Sequence, residues 1–76
     1  MEKGKIVYYA RCLPGIYDMC ELVIRTVADD FFVGVDKRDK RAYLFKYEDI
    51  GKIIFDDRAD ALAVLQIAES KWRDSE

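Results

Sequence analysis

The chain contains no histidine, and its two cysteines do not form a Cys-x-x-Cys motif. A structural zinc site takes about four Cys or His ligands, so this composition argues against one. Histidine is also the commonest general base and the usual partner of a nucleophilic serine or cysteine. The only two serines lie near the C-terminal end, and no phosphate-binding or dinucleotide-binding motif is present. We therefore expect no enzyme activity, no metal and no cofactor.

Long apolar runs are missing as well. No segment approaches the roughly 20 apolar residues that cross a bilayer. The opening sequence MEKGKIVYYARC lacks the apolar stretch of roughly 7–15 residues and the small-residue cleavage site of a signal peptide. These two features predict a cytoplasmic protein that has no contact with a membrane.

Apolar and β-branched segments alternate with turn signals over most of the chain. Five strands are predicted, at residues 5–13, 19–27, 31–36, 41–46 and 52–55. Pro14-Gly15 opens the first connection, which we expect to continue to Asp18. Gly34 inside the third strand indicates a bend or a bulge. A single 3₁₀ turn at 47–51 precedes the short fifth strand.

This meander order is typical of a small five-stranded antiparallel SH3-like barrel, which we expect over residues 5–55 of one domain, 1–76. Closing a sheet removes most of the exposed edges that invite aggregation. A barrel of the OB type is the nearest alternative. It would have a helix between its third and fourth strands, where only the four residues 37–40 are present here.

The last segment changes to helical periodicity. Residues 57–73 contain no glycine or proline, and Asp57 is suited to cap a helix. Apolar residues recur there at spacings of three to four, namely Ala61, Val64, Leu65, Ala68 and Trp72. We expect this C-terminal α-helix to pack across the barrel with Trp72 as its distal anchor, and residues 75–76 to fray. The predicted fold class is therefore α+β, mainly β.

Four sequence patterns carry a resemblance to other proteins. They are IYD-x-CEL-x-IRTV at 16–27, D-x-FVG-x-DKR at 30–38, AYLF at 42–45 and IGK-x-[IV]F-x-DR-x-[ED]AL at 50–62. With these patterns the chain resembles a group of short, uncharacterised proteins of Gram-positive bacteria, often encoded in or beside prophage and mobile-element genes. The resemblance implies a small barrel with a C-terminal helix. It implies no activity.

Tyrosine supplies the first candidate site. Five tyrosines and four phenylalanines are more than a barrel of this size can hide completely. The simpler interpretation is that the tyrosine rings cover the core while their hydroxyl groups remain in contact with water. The alternative is a partner-binding face, especially if the rings share a surface with Leu13 and Ile16. The tyrosines proposed for that face are Tyr8, Tyr17, Tyr43 and Tyr47.

A basic turn supplies the second candidate site. Its four cations are Lys37, Arg38, Lys40 and Arg41, followed by the strand aromatics Tyr43, Phe45 and Tyr47. Small barrels that bind nucleic acid combine basic loops with aromatic faces on which bases stack. The simpler interpretation is a soluble hairpin tip, because Asp36 and Asp39 lie between the cations. The formal net charge of −2 also differs from the basic balance of general nucleic-acid binders.

The two cysteines allow a further hypothesis. If the connection 14–18 is symmetric about Ile16, Cys12 and Cys20 lie directly opposite each other across a hairpin. That arrangement would permit a disulfide, whereas a reducing cytosol favours two small buried thiols.

These features together predict a small non-enzymatic module that binds an unknown protein partner or associates with itself, as an accessory protein of a mobile element or its host. The alternative is a weak nucleic-acid-binding barrel that uses the basic turn. Oligomeric state tests the first hypothesis. A steep dependence of affinity on salt tests the second.

Overall fold

The computed structural model describes residues 2–13 and 15–74, with side chains as far as residue 71. The strands are β1 (Ile6–Leu13), β2 (Ile16–Val27), β3 (Phe31–Asp36), β4 (Ala42–Lys46) and β5 (Ile54–Phe55). A 3₁₀ turn occupies Tyr47–Asp49, and the helix α1 runs from Arg58 to Asp74. The predicted segments and their types are confirmed, with shifts at some of their ends.

The five strands form one antiparallel sheet in the order β4-β3-β2-β1-β5. The mainly β class with one C-terminal helix is therefore confirmed. β4 and β5 lie at opposite edges of the sheet, and within residues 2–13 and 15–74 no ladder joins them. The sheet is curved but does not close into a barrel, in part because β5 contributes only two residues.

Curvature brings the β4 edge of the sheet close to β1 through side chains. The Tyr9 ring on β1 lies 5.7 Å from the Tyr43 ring and 5.0 Å from the Phe45 ring on β4, although two strands separate β1 from β4. The inner face of this curve holds the concave core, which consists of Val7, Cys20, Leu22, Ile24, Phe32, Phe45 and Ile54. Aromatic packing thus links β4 to β1 across the curve, where no ladder joins these two strands.

A β-bulge and a glycine help to produce this curvature. The β2–β3 register shifts between Ile24 and Thr26, so the bulge lies in β2, opposite the predicted position at Gly34. A Cβ atom at Gly34 would lie 3.1 Å from both the Cβ and the Cδ1 of Leu22. Glycine at position 34 therefore lets the Leu22 side chain pack directly on the β3 backbone, while the bulge increases the local twist.

The helix packs on the opposite face of the sheet, against β1, β2 and β5. The buried residues of this helix-side cluster are Ala10, Ala61 and Leu65, and Tyr8, Tyr17, Met19, Phe55 and Val64 pack around them. Two alanines in contact allow the helix to lie close to the sheet. The predicted cap is confirmed, since Asp57 Oδ1 accepts the Ala59 N–H at 2.8 Å. The Trp72 side chain and residues 75–76 lie outside the described part.

Two strand ends differ from the predictions. Leu13 pairs with Ile16, so β2 begins at Ile16 and the predicted connection to Asp18 is wrong. Gly15, at φ +77°, adopts the left-handed conformation that such a short connection needs. β5 begins later than predicted because the N–H groups of Lys52 and Ile53 both donate to the Asp49 carbonyl, which keeps these residues in a turn.

Substituting Gly34→Ala tests the close approach of Leu22. We expect a loss of about 1–3 kcal/mol in the free energy of unfolding, because the added methyl group forces the Leu22 side chain or the β3 backbone to move. Urea denaturation measures this loss. Ala42→Ser, at an exposed position in β4, serves as the control and should change stability by less than about 0.5 kcal/mol. A neutral Gly34→Ala variant would contradict this packing.

Candidate protein-binding surface

The four predicted partner-binding tyrosines lie on two different faces of the sheet. Tyr43 and Tyr47 pack against the concave core, whereas Tyr8 and Tyr17 pack in the helix-side cluster. All four are half-buried. The Tyr47 hydroxyl donates a hydrogen bond to the Ala28 carbonyl, which fixes the ring over the core. The structure therefore does not bring the four tyrosines together on one surface.

The apolar pair that was expected to strengthen a tyrosine face lies at the tip of the β1–β2 hairpin. Leu13 and Ile16 are cross-strand partners and are each about half exposed. Leu13 alternates with the helix-side residues of β1, and its partner Ile16 alternates with those of β2, so both share the face of Tyr9. Burial raises the pKa of the Tyr9 hydroxyl, in keeping with a ring that is part of the core. This hairpin tip is a small, isolated apolar spot.

The basic turn consists of cations that mostly have carboxylate partners. The Lys37 ammonium lies 3.1 Å from Glu21, Arg38 lies 3.6 Å from Asp18, and Arg41 lies 3.7 Å from Asp39. Lys40 occupies the left-handed turn position at φ +63°. Three of the four cations are thus held at carboxylates of the same chain, which lowers the positive field available to a phosphate backbone.

Asp36 anchors this turn to the sheet. Its side chain is almost fully buried, and its carboxylate accepts the Arg38 N–H at 2.7 Å. The guanidinium of Arg38 also lies near both Asp36 and Asp18, and these two carboxylates raise the pKa of Arg38, Asp18 more than Asp36. Asp18 in turn accepts a hydrogen bond from Arg11 at 3.0 Å. The network connects the turn to the β1–β2 hairpin and has a structural role.

The cysteines are not placed opposite each other. Cys12 pairs with Tyr17 and Cys20 pairs with Tyr9, so the two side chains lie on opposite faces of the sheet. The hypothesis of a symmetric loop was wrong because the connection has only two residues. Cys12 is exposed and Cys20 is buried, so the expectation of two buried thiols holds for Cys20 alone. Burial raises the pKa of the Cys20 thiol.

An apolar surface that the sequence analysis missed lies on the convex side of the sheet, beside the helix. Phe32 and Phe45 point into the concave core, so their strand neighbours point the other way. We call this surface the outer face; its side chains are Ile6, Val23, Phe31, Val33, Val35 and Leu44, half-buried or exposed. Cross-strand pairing joins Ile6 to Val23, Val23 to Val35 and Val33 to Leu44.

The helix leaves the β3–β4 part of the outer face uncovered. The helix-side cluster contains no residue of β3 or β4. Leu44, the most exposed large apolar residue among those described, is 63% exposed at the β4 edge of this face. The sequence signal for the surface was the unbroken apolar run FFVGV at 31–35, which is typical of a strand with both faces buried. Here one of its faces is fully buried and the side chains of the other are only half-buried.

The outer face adjoins a free strand edge. The Asp36 N–H donates to the Arg41 carbonyl at 2.8 Å, and this bond sets the alternation along β4. Tyr43 and Phe45 therefore bond to β3, whereas the N–H and C=O groups of Ala42, Leu44 and Lys46 point away from the sheet. The Lys46 N–H donates a hydrogen bond to the Asp49 carboxylate at 3.1 Å. The donors of Ala42 and Leu44 are left facing outward.

No family model, no curated protein and no solved structure matches the chain. Within the described residues, no helix is long and apolar enough to span a membrane. In the same part of the chain, no group of three or more Cys, Asp or Glu side chains is placed to hold a metal ion. The outer face, the β4 edge and the basic turn are the features of the described residues that bear on function.

Alanine substitution at Asp36 tests the anchoring of the basic turn. Asp36→Ala should cost about 1–3 kcal/mol of unfolding free energy, because a buried acceptor of the Arg38 N–H is lost. Asp36→Asn, which keeps an oxygen acceptor, should cost less. Asp39→Ala is the matched control, since Asp39 makes a similar bond to the Arg41 N–H but is exposed. Equal losses for Asp36→Ala and Asp39→Ala would disprove a special role for the buried carboxylate.

Thiol labelling tests the placement of the cysteines. Under native conditions and without oxidant, one thiol per chain should react with iodoacetamide at pH 8, because Cys12 is exposed and burial disfavours the Cys20 thiolate. In urea both thiols should react. Mass spectrometry of peptides identifies the labelled residue, and the Cys12→Ser variant should show almost no native labelling. Fast labelling of both thiols in the folded protein would contradict the structure.

Proposed function

We propose that the protein is a non-enzymatic module that binds a protein partner or a second copy of itself through the outer face and the adjoining β4 edge. The observation that carries the proposal is the row of apolar side chains on β3 and β4 that the helix leaves uncovered. These side chains are half-buried on β3 and exposed at Leu44, and a row of incompletely covered apolar side chains is suited to contact a protein partner. The resemblance to short proteins of prophages and mobile elements supports an accessory role.

We also propose that the curved sheet is an opened form of the SH3-like barrel. Three features support this assignment. They are the consecutive pairing of β1 to β4, the 3₁₀ turn before a short β5 that pairs with β1, and the aromatic contact between β1 and β4. Function does not follow from such a fold, because small barrels carry many unrelated activities.

The tyrosines and the basic turn contribute less to the proposal. The half-buried tyrosines stabilise the two clusters and lie on separate faces. The cations of the basic turn are mostly neutralised by Glu21, Asp18 and Asp39. Nucleic-acid binding through this turn would require those ion pairs to open, and no feature of the described part favours it over protein binding.

Photo-crosslinking in cells tests the proposed surface. A benzoylphenylalanine introduced in place of Leu44 lies at the junction of the outer face and the free edge. After irradiation we expect discrete covalent adducts to a protein, because a bound partner would lie within reach of the probe. Gel mobility and mass spectrometry measure the adduct and identify what it contains.

The matched control places the same probe at Gln66, an exposed position on the helix. That position should give few adducts, because it lies outside the outer face. Adducts of equal yield at the two positions would indicate random collisions. An absence of adducts at Leu44, with the protein folded and abundant, would overturn the proposed surface.

A further inference from the structure

We propose that the partner at the β4 edge is a second copy of this chain, paired through two antiparallel β4 strands about a twofold axis at Leu44. This inference rests on the proposed function, since it names the occupant of the same surface. In a twofold pairing each copy presents the same patch, so the patch must complement itself. The β4 edge meets this requirement in its backbone groups, its side chains and its charges.

The backbone requirement is met by the free groups of β4. The N–H and C=O of Leu44 point away from the sheet, so Leu44 of two copies can exchange a pair of N–H···O bonds. The outward N–H of Ala42 can donate to the Lys46 carbonyl of the second copy. Because the Lys46 N–H is already bonded to Asp49, this register forms four intermolecular backbone bonds.

The side chains of this register bury the most exposed apolar group of the edge. Leu44 has Val33 as its lateral neighbour on β3 and open space on the other side. In the paired arrangement Leu44 of the second copy fills that space. The outer faces of the two copies then join into one apolar row, from Val33 through both leucines to Val33 of the second copy.

Charge selects this register over its neighbours. With Leu44 opposite Leu44, Lys40 of one copy lies toward Glu48 of the other, and both side chains are exposed. Moving the strands by two residues, so that Ala42 faces Leu44, brings Lys40 against Lys46 and is disfavoured by like charge. The opposite shift pairs Leu44 with Lys46, and it loses backbone bonds because the Lys46 N–H is occupied.

The other edge of the sheet is a poorer partner for β4. β5 contains only two residues, Ile54 and Phe55, so a β4–β5 contact between copies would form few backbone bonds. Such a contact would also be heterologous, and would continue into a ring or a filament. The structure therefore favours a closed dimer over an open chain of subunits.

Sedimentation equilibrium of the purified protein tests the dimer. We expect the wild type to have twice the chain mass of 8.9 kDa, and Leu44→Lys to have the single-chain mass at the same concentration. Ile67→Lys is the matched control, because Ile67 is 57% exposed on the helix, far from β4 in sequence. It should remain dimeric. Circular dichroism shows whether each variant is folded.

Engineered disulfides test the register. In a Cys12→Ser background, Leu44→Cys should crosslink two copies under mild oxidation, because directly paired Cα atoms lie about 5.5 Å apart. Ala42→Cys should crosslink slowly, since the two copies of this residue would lie roughly 13 Å apart along the strands. Faster crosslinking of Ala42→Cys than of Leu44→Cys would overturn the proposed register.

Charge reversal provides an independent test of the proposed register. Lys40→Glu and Glu48→Lys should each raise the dimer dissociation constant by roughly 2- to 30-fold, as expected for two exposed ion pairs. The double variant should restore wild-type affinity, which a purely structural effect would not do. Two weakened single variants without restoration would contradict the predicted contact.

The outcomes separate this inference from the proposed function. A wild-type protein that is monomeric at all concentrations, or that forms larger rings, overturns the twofold β4 pairing. If the Leu44 probe then still gives adducts with a different protein, the outer face remains a protein-binding surface. If the purified protein is monomeric and the probe gives no adducts, both proposals fail.

Discussion

The structure depends on the curvature of the sheet around Phe32. A chain of 76 residues buries only about 60% of its unfolded surface, so it cannot fill two large cores. Curvature solves this by letting one set of side chains from all five strands meet on the inner face. Gly34 and the bulge after Ile24 permit the bend, and the stacked rings of Phe32 and Phe45, 5.6 Å apart, fill it.

The uncovered outer face follows from the dimensions of the single helix. A helix with its side chains is about 10–12 Å wide, and neighbouring strands lie about 4.8 Å apart. One helix can therefore cover two or three strands, and here it covers β5, β1 and β2. The apolar residues that β3 and β4 carry on the same side are left without cover from the helix. The proposed partner would occupy this position.

Segments with strong local signals could be predicted from the sequence. β3 was predicted with its observed ends, and the helix was predicted from its periodicity and its Asp57 cap. The start of β2 was missed because Ile16 was assigned to a loop, although it has a high strand propensity. That error also misplaced the cysteines, since a change in the hairpin register moves side chains to the other face. Local signals do not determine register.

The candidate surface was harder to predict than the fold. The number of tyrosines predicted an aromatic patch on the surface. In the structure each tyrosine ring packs against one of two clusters on opposite faces of the sheet. Which of them is free depends on sheet curvature and helix position, and both are tertiary properties. The apolar run at residues 31–35 is a clear sequence signal of the outer face. A sequence cannot show that only one side of such a strand is covered.

The β4 edge has free backbone groups, but only a few of them, and this explains why a single pairing register is favoured. Long free edges with apolar side chains lead to uncontrolled strand addition. Here the edge is five residues long, and its last N–H is occupied by Asp49. Lys40 and Arg41 precede it, and Lys46 ends it. Only Ala42 and Leu44 keep outward donors, so the edge is long enough for one self-complementary contact and too short for several alternative registers.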